Sequence, residues 1–330
     1  MSAHAPVSAA ACRTAAADGP AVRWISAEAG DRVALDRWCA AVGPVAAASL
    51  TDTSVSASNS FVVLTWNTHV GGGDVAGLVR DLRAGRFTNG TPVEHFALLL
   101  QETHRSSMDV PVGLGAAPRP IHTRTRHGKR VDVVETAREL GLELFYVPSM
   151  ANGRPTDGLP EDRGNAILST LPLHDLAAIE LPFEAQRRVA VAATVSGTTA
   201  EGTPWSLRLV NVHLDNKSRA SRMLQSFGGA RTRQARALVK ELVHDSAAVV
   251  GGDMNTWSLG FMEGAVGVLK QHFPLPLQHP TEPTYASGGL KLDRLMYRLP
   301  SPLSADTRRL DDRRGSDHHP LIGTIRFAER

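Results

Sequence analysis

From residue 61 onward the chain repeats one pattern: a short apolar run that stops at a polar residue able to do chemistry. Runs at 61–66, 96–100, 207–212 and 247–252 end in Asn67, Gln101-Glu102, His213 and Asp253, and a last run at 321–327 follows Ser316-Asp317-His318-His319-Pro320. Aliphatic residues at consecutive positions in runs this short predict strands buried on both faces. Further strands are expected at 166–169 and 188–195. Between them the spacing predicts helices over 75–84, 131–140 and 230–244, the last with Leu238 and Leu242 on one face beside alanines. Strands alternating with helices give an α/β chain.

The first sixty residues read differently. Residues 1–20 are Ala-rich and polar without periodicity, a flexible lead-in. A short strand at 22–25, helical spacing at 32–42 and a Ser/Thr/Asn-rich connection at 51–60 follow. We expect 21–60 to be an extension packed on the edge of a main domain spanning 61–330.

Composition removes some classes of function. No run of 18 apolar residues exists that could span a bilayer. The two cysteines, Cys12 and Cys39, are too few for a thiolate cluster and could pair with each other. Gly71-Gly72-Gly73 follows a strand but lacks the Gly-Lys-Ser/Thr of a phosphate loop, so it is a turn near the site. A net charge of +3 suits an anionic substrate only weakly, as do the basic clusters at 124–130 and Arg308-Arg309. The segment Ser8-Ala9-Ala10-Ala11-Cys12 looks like the end of a lipoprotein signal without its apolar stretch; with the two lone cysteines it favours a secreted or cell-envelope location over the cytoplasm.

Strands buried on both faces gather their ends at one edge, where residues distant in sequence meet. Taken singly, Glu102 could cap a helix, His213 could be a satisfied core histidine and Asp253 could make a turn with Gly252. Together Asn67, Glu102, His213, Asp253, Asn255, Asp293, Asp317 and His318 supply oxygen ligands, amide donors and two imidazoles. Hydrolysis of a phosphodiester needs this inventory: hard oxygen donors for a cation that neutralises phosphate charge, and a histidine to move the proton of water.

Thr65-Trp66-Asn67, Gln101-Glu102, Asn211-Val212-His213-Leu214-Asp215, Gly252-Asp253-Met254-Asn255, Leu292-Asp293 and Ser316-Asp317-His318-His319-Pro320 occur in one order between residues 61 and 327. In these strings the chain resembles the endonuclease/exonuclease/phosphatase superfamily of deoxyribonuclease-I-like, metal-dependent phosphohydrolases. The resemblance implies a four-layer αββα sandwich of two packed, mainly antiparallel sheets with outer helices. It also implies Mg2+, with Mn2+ or Ca2+ as substitutes, held by Glu102 with Asn67 and Asp317. His318 would be the general base and Asp293 would fix its tautomer. Asp253 and Asn255 would orient water and phosphate, and His213 would donate to a phosphate oxygen. Arg163 or Asn165, before the strand at 166–169, and Arg188 would contact the substrate. Asp215 and Asn216 lie just beyond His213, in reach of the substrate. His69 stands where some relatives carry an acid, and Trp257 could wall the cleft.

The activity expected from this is phosphodiester hydrolysis by activated water, with nucleic acid the first substrate and a membrane lipid headgroup the next. A sphingomyelinase-like, inositol-phosphate or phosphomonoester hydrolase is the alternative; a lipid enzyme would expose apolar residues such as Phe261, Met262, Phe273, Leu275 and Leu277 around the cleft. A non-catalytic module binding nucleic acid or protein is the alternative of another class. Nothing suggests an obligate protein partner, and a monomer is expected.

Overall fold

The computed structural model describes residues 11–13, 20–26, 28–49, 57–112, 119–120, 130–156, 158–216, 229–256 and 264–327. The basic residues at 124–129, together with Trp257, Phe261 and Met262, lie outside the described residues.

Apolar runs flanked by turns become strands because a pleated backbone buries both of its faces only between two other layers. Among the described residues thirteen strands form two sheets. In chain order they are β1 (Arg23–Ser26), β2 (Ala46–Ala48), β3 (Ser60–Asn67), β4 (Phe96–Ser106), β5 (Glu143–Gly153), β6 (Glu161–Ser169) and β7 (His174–Glu180). Then come β8 (Val189–Thr198), β9 (Pro204–His213), β10 (Ala248–Asp253), β11 (Asp293–Arg298), β12 (Ser304–Arg309) and β13 (Leu321–Arg326). One sheet runs β1-β7-β8-β9-β10-β11, the other β12-β13-β3-β4-β6-β5-β2. Pairing is mainly antiparallel; β1 with β7, β3 with β4 and β9 with β10 are parallel.

The inner faces interdigitate through Val63, Leu99 and Ile167 from one sheet and Val191, Leu209 and Val249 from the other. Helices α2 (Val75–Arg83) and α3 (Val133–Leu140) cover the outside of the second sheet, where Leu78, Leu82 and Ala137 meet Leu98 and Leu168. Helices α4 (Gly229–Glu241) and α5 (Gly264–His272) cover the first through Leu238, Leu269 and Phe273. The result is helix, sheet, sheet, helix, with a core between each pair of layers.

The predicted strands and helices all form; β3, β4, β6, β8 and β9 run longer than expected, and the four predicted helices are shorter. Strands β2, β5, β7, β11 and β12 and helix α5 were not foreseen. Phe273 is fully buried beneath α5 and Leu275 packs against the inter-sheet core, so neither serves as the cleft-side apolar surface expected of a lipid enzyme; Leu277 is exposed. No helix among the described residues is long and apolar enough to cross a membrane. Before residue 60, β1 and β2 extend one sheet each, α1 (Arg32–Cys39) packs beside β5, and a disulfide joins Cys12 to Cys39.

Candidate active site

Register does most of the work of assembly. In the first sheet His213 pairs with Asp253 across β9 and β10, and Asp253 with Asp293 across β10 and β11, so three chemically capable residues stand in one row. In the second, Asn67 pairs with Gln101 at the ends of parallel β3 and β4. Both rows lie at the same edge of the sandwich and open on a cleft of about 330 Å³.

The sheets are pinned together behind the cleft by polar side chains. Gln101 Nε2 donates to Asn211 Oδ1 at 2.7 Å, and Asn211 Nδ2 donates to the carbonyls of Leu100 and Ala166 at 2.7 and 2.8 Å. These amides are buried where an unmet donor is costly, so the network fixes how the two rows face each other.

His318 sits at the floor. Its Nδ1 lies 2.8 Å from Asp293 Oδ2, while Nε2 is 3.8 Å from Asp253 Oδ2 and 3.9 Å from Asp317 Oδ1. Trp66 Nε1 donates to the His318 carbonyl, the His318 N–H donates to Ser316 Oγ, and Ser316 Oγ donates to the Asn67 carbonyl. Burial pulls the His318 imidazole down, but the charges of Asp293 and Asp253, the bond to Asp293 and the charge of Asp317 lift it to about 10. Asp253 is pushed up to about 6, first by burial and then by Asp293, against the lowering effect of His318 and of bonds from the Asn255 N–H and Asn67 Nδ2. Asp293, Asp253 and His318 present ligand atoms within 4.8 Å of one another, a grouping that could also hold a metal ion.

Glu102 is half-buried and reaches the cleft through an irregularity. The β4–β6 register slips between Leu100 and Thr103, and Glu102 takes φ +50, a left-handed backbone uncommon for a residue with a side chain. His69 (φ +50) and Asn255 (φ +49) do the same at the same rim. Strained residues gathered at one cleft are the pattern expected of a site held by its surroundings. The His69 N–H donates to Asn67 Oδ1, and His69 Nδ1 lies 3.0 Å from Asp317 Oδ1, an ion-pair contact without hydrogen-bond alignment. That contact raises the His69 pKa, against burial. Burial raises that of Asp317, but His69 and His318 outweigh it and the net shift is downward.

Arg163 from β6 and Arg188 just before β8 also line the cleft, beside Glu102 and His213. His213 Nε2 is 3.4 Å from Asp253 Oδ2; burial and the charges of Arg188, His318 and Arg163 take its pKa well below the usual value, leaving a neutral imidazole. Neighbouring Arg187 does not line the cleft; its Nε donates to Glu180 Oε1.

Of the residues singled out in the sequence, Asn67, Glu102, Arg163, Arg188, His213, Asp253, Asn255, Asp317 and His318 line the cleft, as do His69 and Asn216, and Asp293 stands directly behind His318. Asn165 lines a recess beside the cleft with Arg163 and Arg188, and its Nδ2 donates to the Val189 carbonyl, tying β6 to β8. Asp215, expected in reach of substrate, is fully buried and accepts the Ala185 and Gln186 N–H groups, shaping the turn that delivers Arg188. Two contributors were missed. Tyr285 lies 4.9 Å from the His318 ring, and Thr284 Oγ1 accepts the N–H groups of both Leu292 and Asp293. Their one trace in the sequence is a Pro-Thr-Tyr string shortly before Asp293, too short to read unaided.

A two-sheet sandwich with acids, amides and imidazoles crowded at one set of strand ends defines a hydrolase class. Residues 64–318 match the Endonuclease/Exonuclease/phosphatase family, and the chain belongs to it; its members are hydrolases, nucleases or phosphatases. An endonuclease/exonuclease/phosphatase from Beutenbergia cavernae DSM 12333 shares the fold at 17% identity, covering 81% of this chain and 72% of that one with a TM-score of 0.56. Similar at 15% identity is a 3' phosphatase from Neisseria bound to a product DNA hairpin, covering 82% of this chain and 100% of that one at a TM-score of 0.48. Sphingomyelinase C from Streptomyces griseocarneus is also 15% identical, over 80% and 99% of the two chains at 0.39. No curated protein matches the chain.

Proposed function

We propose that the protein is a divalent-metal-dependent phosphoester hydrolase that attacks phosphorus with activated water. The observation that carries this is the His318–Asp293 contact of 2.8 Å at the floor of a cleft whose rim holds Glu102, Asn67 and Asp317.

Those three offer two carboxylates and an amide oxygen, all hard donors, which suits Mg2+, Mn2+ or Ca2+ better than softer ions. When bound there, such an ion supplies charge neutralisation at the phosphate oxygens and offsets the carboxylate field that holds His318 protonated. The protein's own groups do the rest. Asp293 occupies His318 Nδ1, so Nε2 is the atom that takes the proton of the attacking water, and Asp293 stabilises the imidazolium that results. Asn67 Nδ2 holds one oxygen of Asp253 and the Asn255 N–H the other, so that this carboxylate can orient water at a fixed place. Neutral His213 donates a hydrogen bond to phosphate and keeps its N–H proton. Nucleic acid is the first substrate to try, on the strength of the cleft's arginines.

The test compares plasmid, single-stranded DNA, RNA, sphingomyelin and a bis-aryl phosphodiester with Mg2+, with Mn2+ and with chelator. Turnover should require the ion, and Glu102→Gln, Asp253→Asn and His318→Ala should each lower it roughly 1000-fold while thermal unfolding stays nearly unchanged. Full activity in chelator would sink the metal-dependent reading.

A further inference from the structure

A built turn carries His69 to the rim of the cleft. His69, Val70 and Gly71 take φ +50, +55 and +73, and Val70 between the other two is fully buried. The Gly71 N–H donates to the Glu102 carbonyl at 3.1 Å, and the His69 N–H donates to Asn67 Oδ1 at 3.0 Å. The backbone that presents the imidazole is thus tied to Glu102 and Asn67, two of the residues proposed for the cation, and His69 lines the cleft with both of them and with Asp317.

His69 Nδ1 lies 3.0 Å from Asp317 Oδ1 without the alignment of a hydrogen bond, and that oxygen is buried with no hydrogen-bond partner among the described residues. The N–H and the lone pair of an imidazole nitrogen share one in-plane direction, so the ring is aimed past the carboxylate oxygen and not at it. Two donor atoms about 2.1 Å from a six-coordinate ion are about 3 Å apart when they are neighbours around it. The spacing and the misalignment are those of two ligands of one ion.

We propose that His69 Nδ1 is a ligand of the cation beside Asp317, and that it turns the site from Mg2+ and Ca2+ toward a divalent transition ion, Mn2+ among those named above. The inference rests on the hydrolase reading and narrows the ion of that same site. The oxygens of Glu102, Asn67 and Asp317 leave Mg2+, Ca2+ and Mn2+ undivided. An imidazole nitrogen divides them, because it is a softer donor that binds first-row transition ions better than the hard alkaline-earth ions.

The test reads binding, not turnover. Mn2+ and Mg2+ are each titrated by calorimetry into the full chain at pH 8, and the Mn2+ complex is measured by pulsed electron spin resonance. Mn2+ should bind more tightly and show imidazole nitrogen coupling. His69→Asn, a side chain that tolerates the left-handed backbone, should weaken that coupling and cut the preference for Mn2+ at least about tenfold. His69→Asp should cut it too, by strengthening Mg2+. A histidine that only paired with Asp317 would act on both ions alike. Tighter binding of both by equal factors in His69→Asn, or an unchanged nitrogen coupling there, therefore overturns the assignment, as does equal affinity for the two ions in the wild-type protein or failure of Mn2+ to bind. The hydrolase reading fails separately: nitrogen-coupled Mn2+ in a protein that cleaves none of the esters above removes that reading and leaves His69 a ligand, while Mn2+-dependent turnover without nitrogen coupling does the reverse.

Discussion

His318 and Asp293 depend on a residue that makes no contact with the cleft chemistry. Thr284 Oγ1 accepts two backbone N–H groups, and so sets where β11 begins and where the Asp293 carboxylate stands. Thr284→Val removes that acceptor in a buried place, and should cost about 1–3 kcal/mol of stability and lower kcat more than it raises KM. Equal kcat in a folded Thr284→Val protein would show that Asp293 is held by other means. The charges at the floor make a second expectation. The His318 pKa is raised to about 10 in the folded, metal-free protein, so its contribution to stability is full below its ordinary value of 6.5 and is lost as pH rises through 10. The metal-free unfolding midpoint should fall across that window, and His318→Gln should flatten the fall. A midpoint that rises with pH over the same range in both proteins would contradict the assigned field.

At the scale of elements, what could be read in advance and what could not divides on physical lines. Strands such as β3, β9 and β10 announce themselves because both faces are apolar, and their ends were legible because a polar residue follows each run at once. β12, by contrast, alternates exposed and half-buried positions in Ser304–Arg309 and carries little hydrophobic signal. β5 hides behind Pro148, Ser149 and Asn152, whose burial is set by β6 and not by local sequence. The site was legible as an inventory; the orientation of Asn165 and Asp215 was not, because it follows from strand pairing and a turn. Gly252 shows how strictly pairing constrains the site. At φ +154 its backbone passes so close to β9 that an added Cβ would lie 1.7 Å from the Val212 carbonyl oxygen. Gly252→Ala must push β10 from β9 just where Asp253 faces His213, so it should cost about 3 kcal/mol and abolish turnover. A Gly252→Ala protein with wild-type melting and activity would mean that β10 has slack the register does not show.

Across the whole molecule, the segment before residue 60 reaches the site through one buried cluster. Arg13 pairs with Asp36 at 2.7 Å and with Glu180 at 2.9 Å; Glu180 also holds Arg187 at 2.9 Å, and Arg187 donates to the Pro148 carbonyl of the other sheet. Arg187 is fully buried, its Nη2 lies 3.4 Å from Cys12 Sγ, and the next residue is Arg188 of the cleft. The Cys12–Cys39 disulfide spans a sequence separation of 27, and the chain-entropy relation gives roughly 3.5 kcal/mol for closing a loop of that length. Cys12→Ser with Cys39→Ser should therefore lower the unfolding free energy by about that amount and, by releasing Arg13, weaken phosphate binding at Arg188. Glu180→Gln separates the two effects. It keeps the disulfide but strands the fully buried Arg187, which should cost about 3–5 kcal/mol. Glu180 also sets an acid limit: burial raises its pKa, yet Arg187 and Arg13 bring it below the ordinary 4.5, so its contribution is present above 4.5 and lost as pH falls past the lowered value. If the serine pair melts earlier yet binds phosphate as the wild type does, the disulfide serves stability alone and the coupling to the cleft runs through Glu180.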